Sequence, residues 1–231
     1  MKILAFNASP RKKQGTTDII LNSFLTAAEE AGATTKKHYV TDLDIKGCTG
    51  CFTCWTKTPG KCIHSDDMEW IIPEILESDI IVHATPIYNK NITHYLQRLK
   101  ERQLPMVLPW MVEQGETTRH PHRYQGIPTK AVLIAVAGFP DHQAFDIVKD
   151  LYPNALHILL PSSQILYSPE GSKHIKRFTY AVSESARQLV THGTVDKNIR
   201  KRLVVEYSPE VKALIREGAN ASFENAMKKD S

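Results

Sequence analysis

Several things are missing from this 231-residue chain, and each absence removes a class of function. No apolar run is long enough to span a membrane. No glycine-rich loop ends in Gly-Lys-Ser/Thr, so the nucleotide-binding P-loop is absent. There is no G-x-G-x-x-G dinucleotide fingerprint and no G-x-S-x-G or H-E-x-x-H, which leaves no sign of a serine-hydrolase elbow or a helical zinc protease. Charge is sparse and balanced. A net charge of +4, with the basic residues spread along the chain, does not imply a nucleic-acid partner. Neither internal repeats nor low-complexity segments are present. A strand pattern begins almost at residue 1, leaving no room for a signal peptide, so a cytoplasmic location is expected.

The composition that remains, 42% hydrophobic and 23% charged, is that of a globular domain able to bury a sizeable core. The chain is organised around its first seventeen residues. Lys2–Ala8 is a short apolar run of the kind that makes a buried strand, and it breaks at Ser9-Pro10. A polar, basic stretch follows through Gly15, Thr16 and Thr17. Leu21, Phe24, Leu25, Ala28 and Ala31 then recur at helical spacing. Strand, polar loop and helix in this order aim helix N–H groups, hydroxyls and cations at one point, where phosphate is the natural occupant. The plainer alternative is that Ser9, Thr16 and Thr17 only cap the helix while Arg11 and Lys12 are solvated.

Further strands are expected at 34–40, 79–84, 131–137 and 155–160, with helices from Asp66, over 92–102, over 144–151 and over 173–192. Five strands alternating with helices predict an α/β fold, a doubly wound parallel sheet covered on both faces; with strand order 2-1-3-4-5 its loops open on one edge. Ligands in such folds sit beyond the carboxyl ends of the strands. Three loops leave those ends: Ser9 to Thr17, Thr85 to Asn89, and Gly138 to Asp141. Together they could surround a flat ligand, and flavin mononucleotide (FMN) suits both the phosphate loop and the missing dinucleotide motif. The core domain is expected over 1–193, with a cysteine loop at 41–65 and a Pro- and His-containing insertion at 103–129. A tail of one or two short helices and a frayed end is expected from Thr194.

Four cysteines, and no others, lie within fifteen residues as Cys48-x2-Cys51-x2-Cys54-x7-Cys62. In a reducing compartment such crowding points to metal or redox chemistry. Successive two-residue gaps resemble the ligation of a [4Fe–4S] cluster more than paired zinc knuckles. Structural zinc and free redox-active thiols are the alternatives. Asp66 and Asp67 read as helix caps, His83 and His94 as core histidines, and Trp110 and Phe139 as packed aromatics, with stacking on a flavin as the alternative. Arg119, His120, His122 and Arg123 read as a solvated or subunit-contacting loop, with NAD(P)H or an acidic protein donor as the alternative partner.

Three stretches resemble the iron–sulfur flavoprotein and NADPH-dependent FMN reductase group of the flavodoxin-like superfamily. They are Ala8-Ser9-Pro10-Arg11-Lys12 through Gly15-Thr16-Thr17, Gly47-Cys48-Thr49-Gly50-Cys51 through Cys54, Cys62 and Met68, and Thr85-Pro86-Ile87-Tyr88. The resemblance implies an FMN phosphate held by Ser9, Arg11, Thr16 and Thr17, beside Lys12 and Gly15. Thr85, Pro86, Ile87, Tyr88 and Asn89 would lie near the ring, with Gly138 at the third loop. The chain departs from the pattern at Thr16, where related loops often carry Asn, and at Ala8, often Gly. Electrons would come from NAD(P)H or ferredoxin and pass to a quinone, free flavin or other small acceptor, in a homodimer or homotetramer. A non-enzymatic electron carrier and a flavin-free zinc module are the rival readings. Because flavin carries the difficult chemistry, no catalytic acid or base is expected from the chain.

Overall fold

The computed structural model describes residues 1–128, 130–167, 171 and 175–229. Its frame is a five-stranded parallel sheet of β1 (Lys2–Asn7), β2 (Thr34–Tyr39), β3 (Ile80–Pro86), β6 (Lys130–Val136) and β7 (Leu156–Leu160), in the spatial order β2-β1-β3-β6-β7. This is a doubly wound order, in the arrangement expected for the five strands. Parallel pairing sets Asn7 beside Ala84, Pro86 beside Val136, and Val136 beside Leu160. The carboxyl ends of four strands therefore finish along one edge.

The period-two alternation of each strand divides its side chains between two cores. Ile3, Ala5, Val82, Ile134 and Ile158 face α1 (Thr16–Glu30) and α5 (Lys176–His192), which bury Leu21, Phe24, Phe178 and Val182 against them. Leu4, Phe6, Ile81, Leu133 and Leu159 face the other way. There α2 (Met68–Leu76), α3 (His94–Glu101) and α4 (Asp146–Leu151) contribute Ile71, Ile75, Leu96, Leu99 and Val148. Pro73 lies inside α2 without ending it. Residues 173 and 174 of the expected long helix lie outside the described residues.

Two expectations need correcting. The 103–129 insertion is not an irregular loop throughout, because β4 (Val112–Gln114) and β5 (Thr117–Arg119) pair as an antiparallel hairpin. Only two residues separate these strands, and Gly115 takes φ +60 there, as a tight turn requires. The tail is also more regular than expected. After α6 (Lys197–Arg202) comes α7, a helix of 21 residues over Pro209–Lys229. In and beside α6, Val195, Ile199 and Leu203 are buried in the α1/α5 core. Among the described residues no helix is long and apolar enough to cross a membrane.

Candidate functional site

The strongest cleft for a flat phosphorylated ligand opens at the carboxyl ends of β1, β3 and β6. Ser9, Arg11, Gly15, Thr16, Thr17, Pro86, Ile87, Tyr88, Val136, Ala137, Gly138 and Ser163 line it. Nine of the twelve cofactor-binding residues expected from sequence are among them. The other three stand apart. Lys12, in the left-handed region at φ +46, forms an ion pair with Asp42. Thr85 is fully buried, donating to the Pro86 carbonyl (2.9 Å) and accepting from the Thr93 amide (3.2 Å), so it shapes the β3 exit from within. Asn89 forms, with Lys90, the left-handed tip of a tight turn closed by Tyr88 and Asn91.

The phosphate end is built from the β1–α1 connection. Gly15 is the N-cap of α1 and contributes no side-chain cap, so the Thr16 and Thr17 amides, ahead of the Asp18 amide that bonds the Gly15 carbonyl, face the cleft for another partner. A Cβ on Gly15 would sit 2.9 Å from Ser9 Oγ and 3.3 Å from Arg11 Cβ, so only glycine keeps this cradle open. Thr16 and Thr17 are buried in the first turn, and Thr16 Oγ1 donates to Ser163 Oγ at 3.2 Å. Arg11 is exposed, its guanidinium 5.6 Å from the centre of the Tyr167 ring. The Tyr167 hydroxyl in turn donates to the Gln14 carbonyl. Glycine, hydroxyls, an arginine and an uncapped helix start match the chemistry of a phosphate monoester.

Beneath the loop lies a polar network that the sequence patterns did not reveal. Asn7 accepts from the Ser9 amide (2.9 Å) and donates to Asp18 (2.9 Å). Asp18 also accepts from Asn22, Lys37 and the Tyr39 hydroxyl. Burial pushes the Asp18 carboxyl up, but the bonds from Lys37, Tyr39 and Asn7 outweigh it and hold the group below the ordinary carboxylate range. Its charge is thus matched by Lys37 rather than left to repel an anion at the helix start. Ser163 was also missed, since it reaches the cleft from 147 residues away in sequence. The apolar wall is Pro86, Ile87, Val136 and Ala137. Tyr88 and Phe139 stand exposed near it, Phe139 at 69%. The lining holds no carboxylate or imidazole.

Cys48, Cys51, Cys54 and Cys62 all line one separate cavity, with Thr49, Phe52, His64, Arg102 and Pro105. Cys48 and Cys51 are exposed and Cys54 is buried; all four are free thiols. Burial pushes the Cys54 thiol up, and the nearby Cys62, Cys48 and Cys51 push it the same way. Among the described residues, no three His, Cys, Asp or Glu side chains are gathered tightly enough to hold a single metal ion. The sulfurs border a common space without converging on one point.

Two arginines fix this loop. Arg102 and Asp66 are fully buried and pair through both guanidinium nitrogens, Nη2 donating at 3.0 Å, while Nη1 also donates to the Lys46 carbonyl. Asp66 accepts the Met68 amide at 3.2 Å as a helix-start residue would, but its main partner is Arg102. Arg123 is no solvated cation: Nε donates to the Pro105 carbonyl at 3.0 Å and Nη2 to the Cys54 carbonyl at 3.4 Å. His120 packs in a tilted contact against Trp55, their ring centres 4.8 Å apart. The insertion thus roofs the cysteine loop. Of the other sequence expectations, His83 is a buried histidine bonded to the Tyr152 hydroxyl. His94 and Trp110 are exposed rather than packed.

Residues 1–105 match the family described as NADPH-dependent FMN reductase. An iron–sulfur flavoprotein of Archaeoglobus fulgidus is 34% identical over 105 residues, covering 46% of each chain. One from Methanocaldococcus jannaschii is 35% identical over 102 residues, covering 44% of this chain and 50% of that one. The chain spans about half the length of the curated relatives it matches. A solved structure of an NAD(P)H:quinone oxidoreductase from Methanothermobacter marburgensis superposes with a TM-score of 0.60 at 12% identity. That superposition covers 83% of this chain and 98% of that one, and shows a shared fold.

Proposed function

From a first 105 residues that match the NADPH-dependent FMN reductase family, we propose that this protein is an FMN-dependent oxidoreductase. The observation that carries the reading is the convergence of Ser9, Arg11, Gly15, Thr16, Thr17, Pro86, Ile87, Tyr88 and Gly138 on one cleft. Arg11, the Ser9 and Thr hydroxyls and the α1 amides hold the phosphate. Pro86, Ile87, Val136 and Ala137 form an apolar seat for the ring, and Tyr88 and Phe139 flank its open side. FMN bound there would supply hydride and one-electron chemistry. The chain's part is to bind and orient it while leaving one side open to an acceptor. The acceptor class is a quinone, free flavin or other small molecule, with NAD(P)H or ferredoxin as donor and a homodimer or homotetramer as the working form.

The four cysteines would hold a [4Fe–4S] cluster. A cubane is ligated at four separate irons, and sulfurs spread around a shared cavity suit that better than a single zinc, which needs all four near one point. The exposure of Cys48 and Cys51 favours a second reading, in which a one-electron protein donor rather than NAD(P)H approaches this side.

The test is an absorption spectrum of protein purified without oxygen, with iron and acid-labile sulfide assayed on the same sample. Flavin bands over a broad shoulder, with about four irons per chain, are expected. Protein that stays colourless after incubation with FMN and desalting overturns the flavin reading. Flavin without iron leaves an FMN reductase with spare thiols.

A further inference from the structure

The one fully buried arginine of the cysteine cavity has bonding capacity that the fold leaves unused. Asp66 takes both terminal nitrogens of Arg102, and the Lys46 carbonyl takes one of them again. Arg102 Nε is buried and carries no hydrogen bond. A buried donor left in this way is expensive, so an acceptor is expected beside it. Arg102 lines the same cavity as the four thiols, and the Cys62 side chain lies against its guanidinium.

Asp66 alone could explain why an arginine is buried here, because a bidentate pair anchors the loop to the end of α3. It does not explain why the pair is built with its cation toward the cysteines. Asp66 is already satisfied by the Lys46 and Met68 amides besides Arg102. The pair is therefore a fixed dipole, with the carboxylate turned to backbone amides and the guanidinium turned to sulfur.

We propose that Arg102 is the positioning residue of the cysteine centre, holding Cys62 and offsetting with its positive charge the negative charge that four thiolates and a cluster bring together. The proposal rests on the cluster reading above and deepens it. Four thiolates around a cubane carry net negative charge, which grows on reduction. A fixed cation facing them favours the reduced form, and charge and hydrogen bonds to sulfur are known determinants of cluster potential.

The test uses the full chain purified without oxygen, comparing wild type with Arg102→Lys and with the paired change Asp66→Asn/Arg102→Gln. The paired change removes both charges together, so no lone buried ion remains. Lysine keeps the charge, but a single ammonium cannot bind Asp66 at two points and also face Cys62. Iron content, melting temperature and the cluster's midpoint potential by EPR-monitored titration are read on each. The paired variant is expected to keep its iron and shift the one-electron equilibrium at least tenfold toward the oxidised form, about 59 mV. Arg102→Lys is expected to shift it the same way by less, with iron and melting temperature near wild type. Iron present with an unmoved potential overturns the role of Arg102 alone. Absence of iron from wild type overturns the cluster reading and this proposal together. Should the paired variant fail to fold, Arg102→Lys decides, and an unchanged potential there is the overturning result.

Discussion

At the scale of single residues, the cleft depends on what Gly15 lacks. Its φ of −92 is open to any residue, so replacing it strains no backbone; the harm is the 2.9 Å approach to Ser9 Oγ. Gly15→Ala is expected to weaken FMN binding at least tenfold, about 1.4 kcal/mol, while the melting temperature stays near wild type. A fluorescence titration with FMN beside a thermal melt checks both halves. His83 offers a different test. Burial drives its pKa from 6.5 down to about 3, helped by the nearby Lys100, and Tyr152 meets its other side. The folded state thus keeps His83 neutral where the unfolded chain would protonate it. Its contribution is complete above pH 6.5 and is lost as pH falls toward 3, at up to about 1.4 kcal/mol per pH unit. Asp18, Asp66 and Glu74, all held below their ordinary range, lose stability in the same direction but only at lower pH. Urea unfolding between pH 7 and 5.5, above the range where the carboxylates contribute, therefore reads the His83 effect, and His83→Gln should flatten the slope.

At the scale of elements, the phosphate loop was legible because strand, glycine and hydroxyls are contiguous. Ser163 and Asp18 were not. Ser163 belongs to the cleft only through the pairing of β6 with β7, and Asp18 carries no motif of its own; its partners Lys37 and Tyr39 come from β2. The cysteine spacing was equally plain in the chain, but the roof over it was hidden, since Arg123 and His120 carry no motif. Arg123 gives that roof a measurable role. It meets the Pro105 and Cys54 carbonyls, and a Cβ on Gly60 would press to 3.2 Å from its Cδ. Arg123→Ala should cost about 1.5–3 kcal/mol, as loss of charge-assisted bonds does. It should also speed alkylation of the buried Cys54 in metal-free protein, followed by mass spectrometry. Unchanged alkylation would mean that the insertion covers the loop without holding it.

At the scale of the molecule, alternation and right-handed crossovers predict a doubly wound parallel sheet, while the particular order β2-β1-β3-β6-β7 is an expectation that goes with the flavodoxin-like resemblance. The tail was harder to read. Its apolar positions are sparse, and only the three-dimensional packing shows Val195, Ile199 and Leu203 completing the α1/α5 core while Leu214, Phe223 and Met227 stay exposed. A chain ending at Ser208 should lose only the helical circular dichroism of α7 and melt within a few degrees of the full length. One ending at Gly193 loses three buried aliphatic residues and should be destabilised by several kcal/mol.

The same C-terminal stretch has a consequence for how copies of the protein can meet. Val204 lies parallel to Leu159, and the Leu159 and Val205 amides bond across the gap, so the outer rim of β7 is already occupied. At the opposite rim, β2 presents Lys36 and Lys37. One rim is engaged at Leu159 and the other carries lysines, which blunts both as templates for fibre growth or strand exchange. Association between copies has to be read by side chains on helices and loops, where single substitutions can tune or abolish it.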